Sequence, residues 1–248
     1  MARLNESWFE FNGMKSSDMD VRMRDTHAFS RGAARGSQKN VAGRPGYVWN
    51  GDGATEALEV KRTCRAPASR LREISAWLCG AGGLRFSQED DAMYDARIVK
   101  AIEYKRAIPG DDPLYEFSVT FSCQPFPRLW PEAEPVVVTV SGTELRNPGT
   151  APARPRIEIV GSGSFTLMIG KQVMTFADVD GGIIVDGELG DAFTADGALL
   201  ANEHIDGELF QIQPGLNTVS WHLGGADGEP DSAGRIEKIT ITPRWRYR

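Results

Sequence analysis

The sequence predicts a mainly β chain with two successive domains, an N-terminal α+β unit that contains one helix and a C-terminal antiparallel β-sandwich. Three observations predict this class: an alternating strand at 114–126, a proline-rich stretch at its end, and no helical period in the second half of the chain. In the strand, polar residues separate the apolar ones, which are Tyr115, Phe117, Val119, Phe121 and Cys123. Because successive side chains of a strand point to opposite faces, one face is expected on a core and the other in water.

The proline-rich stretch marks a domain boundary. Four prolines stand between residues 125 and 135, and proline cannot donate a hydrogen bond to a sheet. A chain of 248 residues is long enough for two ordinary domains. We therefore predict domains at 1–130 and 131–248.

The first domain is predicted to begin with antiparallel strands. Aromatic residues before the turn dipeptide Asn12-Gly13 indicate a strand, a turn and a second strand that includes Met19. Residues 56–63 are expected to form another strand, with Leu58 and Val60 pointing inward.

One helix is predicted after these strands. Pro67 is expected at its first position and Gly80 directly after its end, and the apolar residues between them recur at helical spacing, at Leu71, Ile74, Trp77 and Leu78. Residues 94–98 and 102–104 are interpreted as a further strand. A turn at 109–113 then leads into the strand at 114–126, which completes an α+β unit.

Residues 29–53 show no regular pattern. The stretch contains six glycines and four dispersed basic residues, Arg31, Arg35, Lys39 and Arg44. Long segments of this kind inside a compact domain tend to be functional or disordered. From the residues alone two interpretations stay open: a solvated hairpin, and an arm whose cations bind carboxylates of a neighbouring molecule.

The second half contains eight short strand candidates separated by turns, which is typical of an antiparallel β-sandwich. They are 136–140, 156–160, 165–169, 172–176, 182–186, 209–212, 217–223 and 236–241. The segment 161–164, Gly-Ser-Gly-Ser, is interpreted as a hairpin turn between two of them. The arginine-rich C-terminus around Trp245 is interpreted as a charged edge strand, with an aromatic contact patch as the alternative.

Charge and composition exclude several classes of protein. Residues 1–130 carry 19 Lys+Arg and 17 Asp+Glu, whereas residues 131–248 carry 9 and 17, so the second half is a poor candidate for binding nucleic acid. Apolar runs reach only strand length, and the N-terminus lacks the apolar stretch of a signal peptide. We therefore expect no membrane insertion and folding in the cytoplasm. The three cysteines form no CxxC pair and are expected to be small buried hydrophobes.

No pattern of catalytic or metal-binding residues is found. The sequence has no Gly-x-Ser-x-Gly elbow, no complete phosphate-binding loop and no metal-ligand spacing among His27, His204 and His222. The segment 178–188 begins like a calcium loop but has a glycine at a ligand position. Carboxylates of the second half are interpreted as solvated turns, so a glycoside-cleaving enzyme is the least favoured hypothesis. We predict that the protein is not an enzyme and needs no cofactor or metal.

Taken in order, a set of short motifs resembles the distal tail proteins of long-tailed, non-contractile bacteriophages. The motifs are Phe11–Met19, Ala42–Gly46, Leu71–Leu78, Gly82–Ser87, Tyr94–Ile98, Phe117–Phe126, Asn147–Thr150, Pro155–Ile159 and Pro214–Val219. The resemblance extends over nearly the whole chain and rests on the ordered set rather than on any single motif.

The resemblance implies a structural virion protein. Members of this family form a six-fold ring, in which a tail-tube-like N-terminal domain surrounds a central channel for DNA passage. The implied partners are copies of the same chain, the tail tube protein on one side, the tail-tip hub on the other, and receptor-binding proteins held by an outward, galectin-like sandwich. The implied location is the tail tip of the virion, after assembly in the host cytoplasm.

For residues 29–53 the resemblance implies an arm that belts the ring. The candidate contacts between subunits are Arg31, Arg35, Lys39, Gly43, Arg44 and Gly46. A carbohydrate-binding tail adhesin is the alternative function, in which Trp221 or Trp245 stacks on a sugar. The second half lacks the His-x-Asn-x-Arg pattern with which galectins hold sugar, which argues against that alternative.

Overall fold

The computed structural model describes residues 7–25, 31–224 and 234–248. The chain divides into two compact units, Met1–Pro127 and Arg128–Arg248, whereas the sequence placed the boundary after residue 130. His27 and the first two residues of the predicted arm, 29 and 30, lie outside the described residues. Each unit is built mainly from antiparallel strands.

The first unit contains ten strands and the α-helix. They are β1 (Phe9–Phe11), β2 (Met14–Lys15), β3 (Arg22–Met23), β4 (Ala34–Asn40), β5 (Tyr47–Thr55), β6 (Leu58–Pro67), α1 (Leu71–Trp77), β7 (Ala81–Phe86), β8 (Glu89–Ile98), β9 (Lys105–Ile108) and β10 (Leu114–Cys123). The main sheet has the order β2-β1-β7-β8-β10-β6-β3, with β9 beside β10. Strands β4 and β5 form a separate two-stranded sheet.

Strand β10 is a central strand of the main sheet, as its pattern predicted. It pairs with β6 along its whole length and with β8 and β9 on its other side. Phe117, Val119 and Phe121 are at most 2% exposed, which confirms the apolar face. The polar face is less open than predicted, since Thr120 is only 5% exposed. The reason is that a short side chain on a central strand is flanked by longer ones, such as Lys61 directly opposite on β6.

Helix α1 covers one end of this core. The indole of Trp77 stacks on Phe9 with ring centroids 5.4 Å apart, and its Nε1 donates a hydrogen bond of 2.8 Å to the carbonyl oxygen of Phe11. Pro67 ends β6 and precedes a 3-10 turn, Ala68–Arg70, so its predicted place inside the helix is wrong. Over the described ranges, no helix is long and apolar enough to cross a bilayer.

Two shorter strand predictions in the first unit are wrong. Ser16–Met19 forms a 3-10 turn, because the buried Ser16 hydroxyl accepts a hydrogen bond of 3.2 Å from the amide of Phe9 and holds the chain in a turn. Residues 102–104 belong to no strand. The ring of Tyr104 instead packs against Phe117, with centroids 5.0 Å apart.

The second unit consists of two antiparallel sheets. Its strands are β11 (Arg128–Leu129), which belongs to neither of these sheets, β12 (Val136–Val138), β13 (Thr143–Asn147), β14 (Arg156–Ile169), β15 (Gln172–Val179), β16 (Ile183–Asp186), β17 (Asp191–Thr194), β18 (Ile205–Gly207), β19 (Gly215–Leu223) and β20 (Arg235–Thr242). One sheet has the order β12-β20-β14-β16-β17 and the other β13-β19-β14-β15-β18. The predicted antiparallel β-sandwich is confirmed.

The long strand β14 belongs to both sheets, and this overturns the predicted hairpin turn at 161–164. The first part of β14 pairs with β20 and β16, and its last part pairs with β15 and β19. The pairing register shifts at Gly161 and again after Gly163, where the strand passes from one sheet to the other. A Cβ atom on Gly161 would lie 2.4 Å from the carbonyl oxygen of Arg235. The glycine therefore permits a close strand approach, not a chain reversal.

Three strands of the sandwich, β13, β17 and β18, were not predicted, and one predicted strand is reduced. Residues 209–212 contribute only an isolated bridge between Ala153 and Ile212. The core lies between the two sheets, where the fully buried rings of Phe165 and Phe176 stack with centroids 4.8 Å apart.

Candidate functional site: an exposed hairpin

The glycine-rich segment folds into a long hairpin that is open to solvent. Strands β4 and β5 pair from Ala34 opposite Thr55 to Asn40 opposite Tyr47, with one register shift near Gly36. Every residue from 33 to 53 is exposed. The two interpretations left open by the sequence, hairpin and arm, are compatible, because the segment is regular and also projects its side chains into solvent.

The two faces of the hairpin differ in chemistry. Side chains alternate along each strand, so Tyr47 and Trp49 share one face, which we call the aromatic face. Arg35, Lys39 and Val48 lie on the opposite, charged face. Tyr47 is 56% exposed, Trp49 45% and Val48 37%.

Arg35, a predicted contact between subunits, is paired inside the hairpin. Its Nε donates a hydrogen bond of 2.9 Å to the Asp52 carboxylate, and its Nη2 donates a second one to the same oxygen. Asp52 also accepts a hydrogen bond of 3.0 Å from the amide of Ala54. The hydrogen bond to Asp52 raises the pKa of Arg35. The hydrogen bonds from Arg35 and from the amide of Ala54 lower the pKa of Asp52. The two side chains therefore form an exposed ion pair that links β4 to β5.

The other predicted cations remain available. Arg31, Lys39 and Arg44 are exposed and make no ion pair within the part of the chain that the structure describes. Arg44 lies in the tip of the hairpin, where its amide donates a hydrogen bond of 3.1 Å to the carbonyl oxygen of Val41. Gly43 and Gly46 have φ values of 76° and 82°, so these two predicted positions serve the tip turn rather than a side-chain contact.

Sequence reasoning missed the aromatic residues of this segment. The indole of Trp49 lies against two glycines: a Cβ atom on Gly36 would lie 2.6 Å from its Cζ2, and one on Gly51 would lie 2.5 Å from its Nε1. The signal was present as the run Tyr47-Val48-Trp49 inside a glycine-rich, basic segment.

The two tryptophans proposed as sugar contacts are placed differently. Trp245 is 5% exposed and belongs to the hydrophobic core of the sandwich, so it presents no ring face to a ligand. Trp221 is partly buried and packs against the same core, and its amide donates a hydrogen bond of 2.9 Å to the hydroxyl of Ser141. Both rings therefore contribute to the core of the sandwich.

Other chemistry is sparse. In the described ranges, no group of three His, Cys, Asp or Glu side chains is arranged to hold a metal ion. Burial raises the pKa of the Cys64 and Cys123 thiols to about 12, which keeps both protonated and unreactive at neutral pH.

Comparison with known proteins identifies the fold. No protein-family model and no curated protein matches the chain. Among solved structures, it matches the crystal structure of the SPP1 Dit (gp 19.1) protein, described as a paradigm of the hub adsorption apparatus in phages that infect Gram-positive bacteria. The TM-score is 0.70 at 16% identity, over 98% of this chain and 99% of that chain. The chain therefore has the fold of this Dit protein along nearly its whole length.

Proposed function

We propose that the chain is a structural, non-enzymatic distal tail protein of a phage with a long non-contractile tail. Six copies form a ring around a channel that passes DNA, with the tail tube on one side and the tail-tip hub on the other. The first unit and its hairpin join the subunits, and the sandwich of the second unit carries attachment of tail-tip or receptor-binding proteins. The protein resides at the tail tip of the virion and assembles in the host cytoplasm.

The observation that carries this proposal is the fold match over 98% of the chain, which includes both units and not one common domain alone. A β-sandwich by itself occurs in many unrelated proteins and says little about function. The combination of a sheet unit with one helix, a long hairpin and a sandwich is much more specific.

The exposed hairpin supports the same proposal. An isolated two-stranded hairpin is marginally stable in water and needs packing against another surface. Here the paired strands extend from residue 34 to residue 55, with exposed side chains up to residue 53. A ring of identical subunits requires each copy to insert one surface into a different surface of its neighbour, and a projecting hairpin meets that requirement.

Native mass spectrometry and negative-stain imaging of the purified chain test the proposal. The expected particle contains six copies of the 27.2 kDa chain and has a central hole. The measurement is repeated after adding the tail tube protein encoded by the same phage, because a ring that needs a template would form only then. A chain that stays monomeric in both conditions and does not bind the tube protein would contradict the proposal.

A further inference from the structure

We propose that the aromatic face of the hairpin, formed by Tyr47 and Trp49, is the surface that docks on a second copy of this chain, and that Arg35 holds the hairpin in shape instead of contacting the partner. This inference rests on the proposed ring and names the side chains that close it. In this inference, an aromatic contact is the main source of affinity between subunits, and ion pairs between arginines and carboxylates are not.

The position of Arg35 excludes it as a principal contact. Both of its hydrogen bonds to Asp52 join β4 to β5 within one hairpin. To bind a neighbour's carboxylate, it would first have to leave a partner that is already in place. If Arg35 only exchanged the exposed Asp52 carboxylate for an exposed carboxylate of the neighbour, the gain in affinity would be small.

Trp49 is preorganised for docking. Its indole lies against Gly36 and Gly51, which leave space for it on the hairpin surface, so contact with the hairpin restricts the ring while 45% of the residue stays exposed. A fixed, half-exposed indole loses little conformational freedom on binding, which is the property of the aromatic residues that dominate interfaces. Tyr47 stands two residues away on the same face and extends the contact.

The charge distribution indicates a second copy as the occupant. Residues 31–56 carry four cations and two carboxylates, a net charge of +2, within a chain whose net charge is −6. The rest of residues 1–130 carries 15 cations and 15 carboxylates, so the charge of −8 outside the hairpin lies in residues 131–248. Lys39, on the charged face, and Arg44, at the tip, are exposed, so attraction to the acidic second unit of a neighbour steers the hairpin and the rings then supply the burial.

Self-association of the full chain tests the inference, under whichever of the two conditions above gives rings. We expect Tyr47→Ser combined with Trp49→Ser to weaken assembly by about 100-fold or more in concentration, since two central aromatic contacts are lost. Val48→Ser is the matched control: it is the neighbouring exposed apolar residue on the opposite face, and it should change assembly by less than about threefold. Lys39→Ser should slow assembly mainly at low salt.

A photo-crosslinking amino acid in place of Tyr47 identifies the occupant. We expect an adduct with twice the mass of the chain. If the double serine variant forms rings like the unchanged protein, or Val48→Ser is equally damaging, the aromatic-face inference is overturned while the ring proposal stands. If the adduct contains a different tail protein, the aromatic face does not bind a second copy of this chain. If the unchanged chain forms no ring in either condition, the ring proposal and this inference fall together.

Gly51→Ala provides an independent check on positioning. The new methyl group would lie 2.5 Å from Nε1 of Trp49 and 2.6 Å from the carbonyl oxygen of Arg35, so it would displace the indole without removing it and would also push β5 away from β4. We expect assembly to weaken by about tenfold while the melting temperature of the body of the protein is unchanged. Unchanged assembly would show that the orientation of Trp49 does not matter.

Discussion

The guanidinium of Arg244 donates two hydrogen bonds to the carboxylate of Asp186, at 2.7 and 2.9 Å. The side chains are 17% and 5% exposed, and Glu188 lies 3.5 Å from the same guanidinium. Arg244 has a φ of 51°, an uncommon conformation for a residue with a side chain. We infer that this ion pair fixes the C-terminal segment against the turn after β16, and so keeps the adjacent Trp245 in the core.

Replacing Arg244 by alanine should therefore destabilise the second unit. We expect the free energy of unfolding to fall by about 2–3 kcal/mol, because the nearly buried Asp186 carboxylate loses both charged hydrogen bonds. Urea denaturation followed by tryptophan fluorescence measures the change. Arg235→Ala is the control, since its pair with Glu237 is exposed by 69% and 53%, and it should cost less than about 1 kcal/mol. Equal losses in the two variants would contradict the inference.

The same pair should contribute to stability in a defined pH range. Burial acts to raise the pKa of Asp186, but hydrogen bonds from Arg244 and from the amides of Leu189 and Glu188 outweigh it, so the pKa lies below its ordinary value. A carboxylate with a lowered pKa in the folded state stabilises above its unfolded pKa, about 3.9, and this contribution is lost as the pH falls through the folded value.

Melting temperatures of the unchanged protein and of Asp186→Asn, measured from pH 7 to pH 2, test this sign. We expect the unchanged protein to be more stable from pH 7 to about pH 4. The difference between the two should then narrow as the pH falls further. A difference that widens on acidification would show that Asp186 is not stabilised as the carboxylate.

The three cysteines should differ in reactivity. Cys64 and Cys123 are buried, and burial raises the pKa of each thiol to about 12, whereas Cys79 is exposed next to α1. Alkylation requires the thiolate, so iodoacetamide at pH 8 should modify one cysteine of the native protein and all three after denaturation. Intact mass spectrometry counts the adducts, and Cys79→Ser should remove the native one. Rapid modification of Cys64 in the native protein would indicate that the core of the first unit opens readily.

Elements with an uninterrupted pattern could be predicted from the sequence. Strand β10 and helix α1 were recognised because each buries one apolar face at its own period. Pro67 was misplaced by a few residues, since the same residue type can end a strand or start a helix. Strands β17 and β18 were missed because residues between them form short turns and a 3-10 turn with no period of their own.

The candidate site was predictable in location but not in detail. Glycines and cations marked residues 29–53 as a hairpin or an arm, and the resemblance favoured the arm, yet the ion pair of Arg35 with Asp52 forms where the strand register shifts. The orientation of Trp49 likewise depends on two glycines in different strands. Such contacts between strands are fixed by register, which local sequence specifies weakly in a glycine-rich, polar hairpin.

Gly161 illustrates the same limit and leads to the last prediction. The sequence predicts a turn at this glycine, but its role is to let β14 approach β20 as β14 leaves one sheet for the other. The φ of Gly161 is not in the left-handed region, so a side chain is opposed only by a steric clash. A Cβ atom would lie 2.4 Å from the carbonyl oxygen of Arg235. We expect Gly161→Val to lower the free energy of unfolding by about 2 kcal/mol or more. Val160→Thr, at a neighbouring residue that is 38% exposed, should cost less than about 1 kcal/mol. If the two variants unfold at the same urea concentration, the strand crossing does not require glycine, and the close approach of β14 and β20 is not what positions the two sheets.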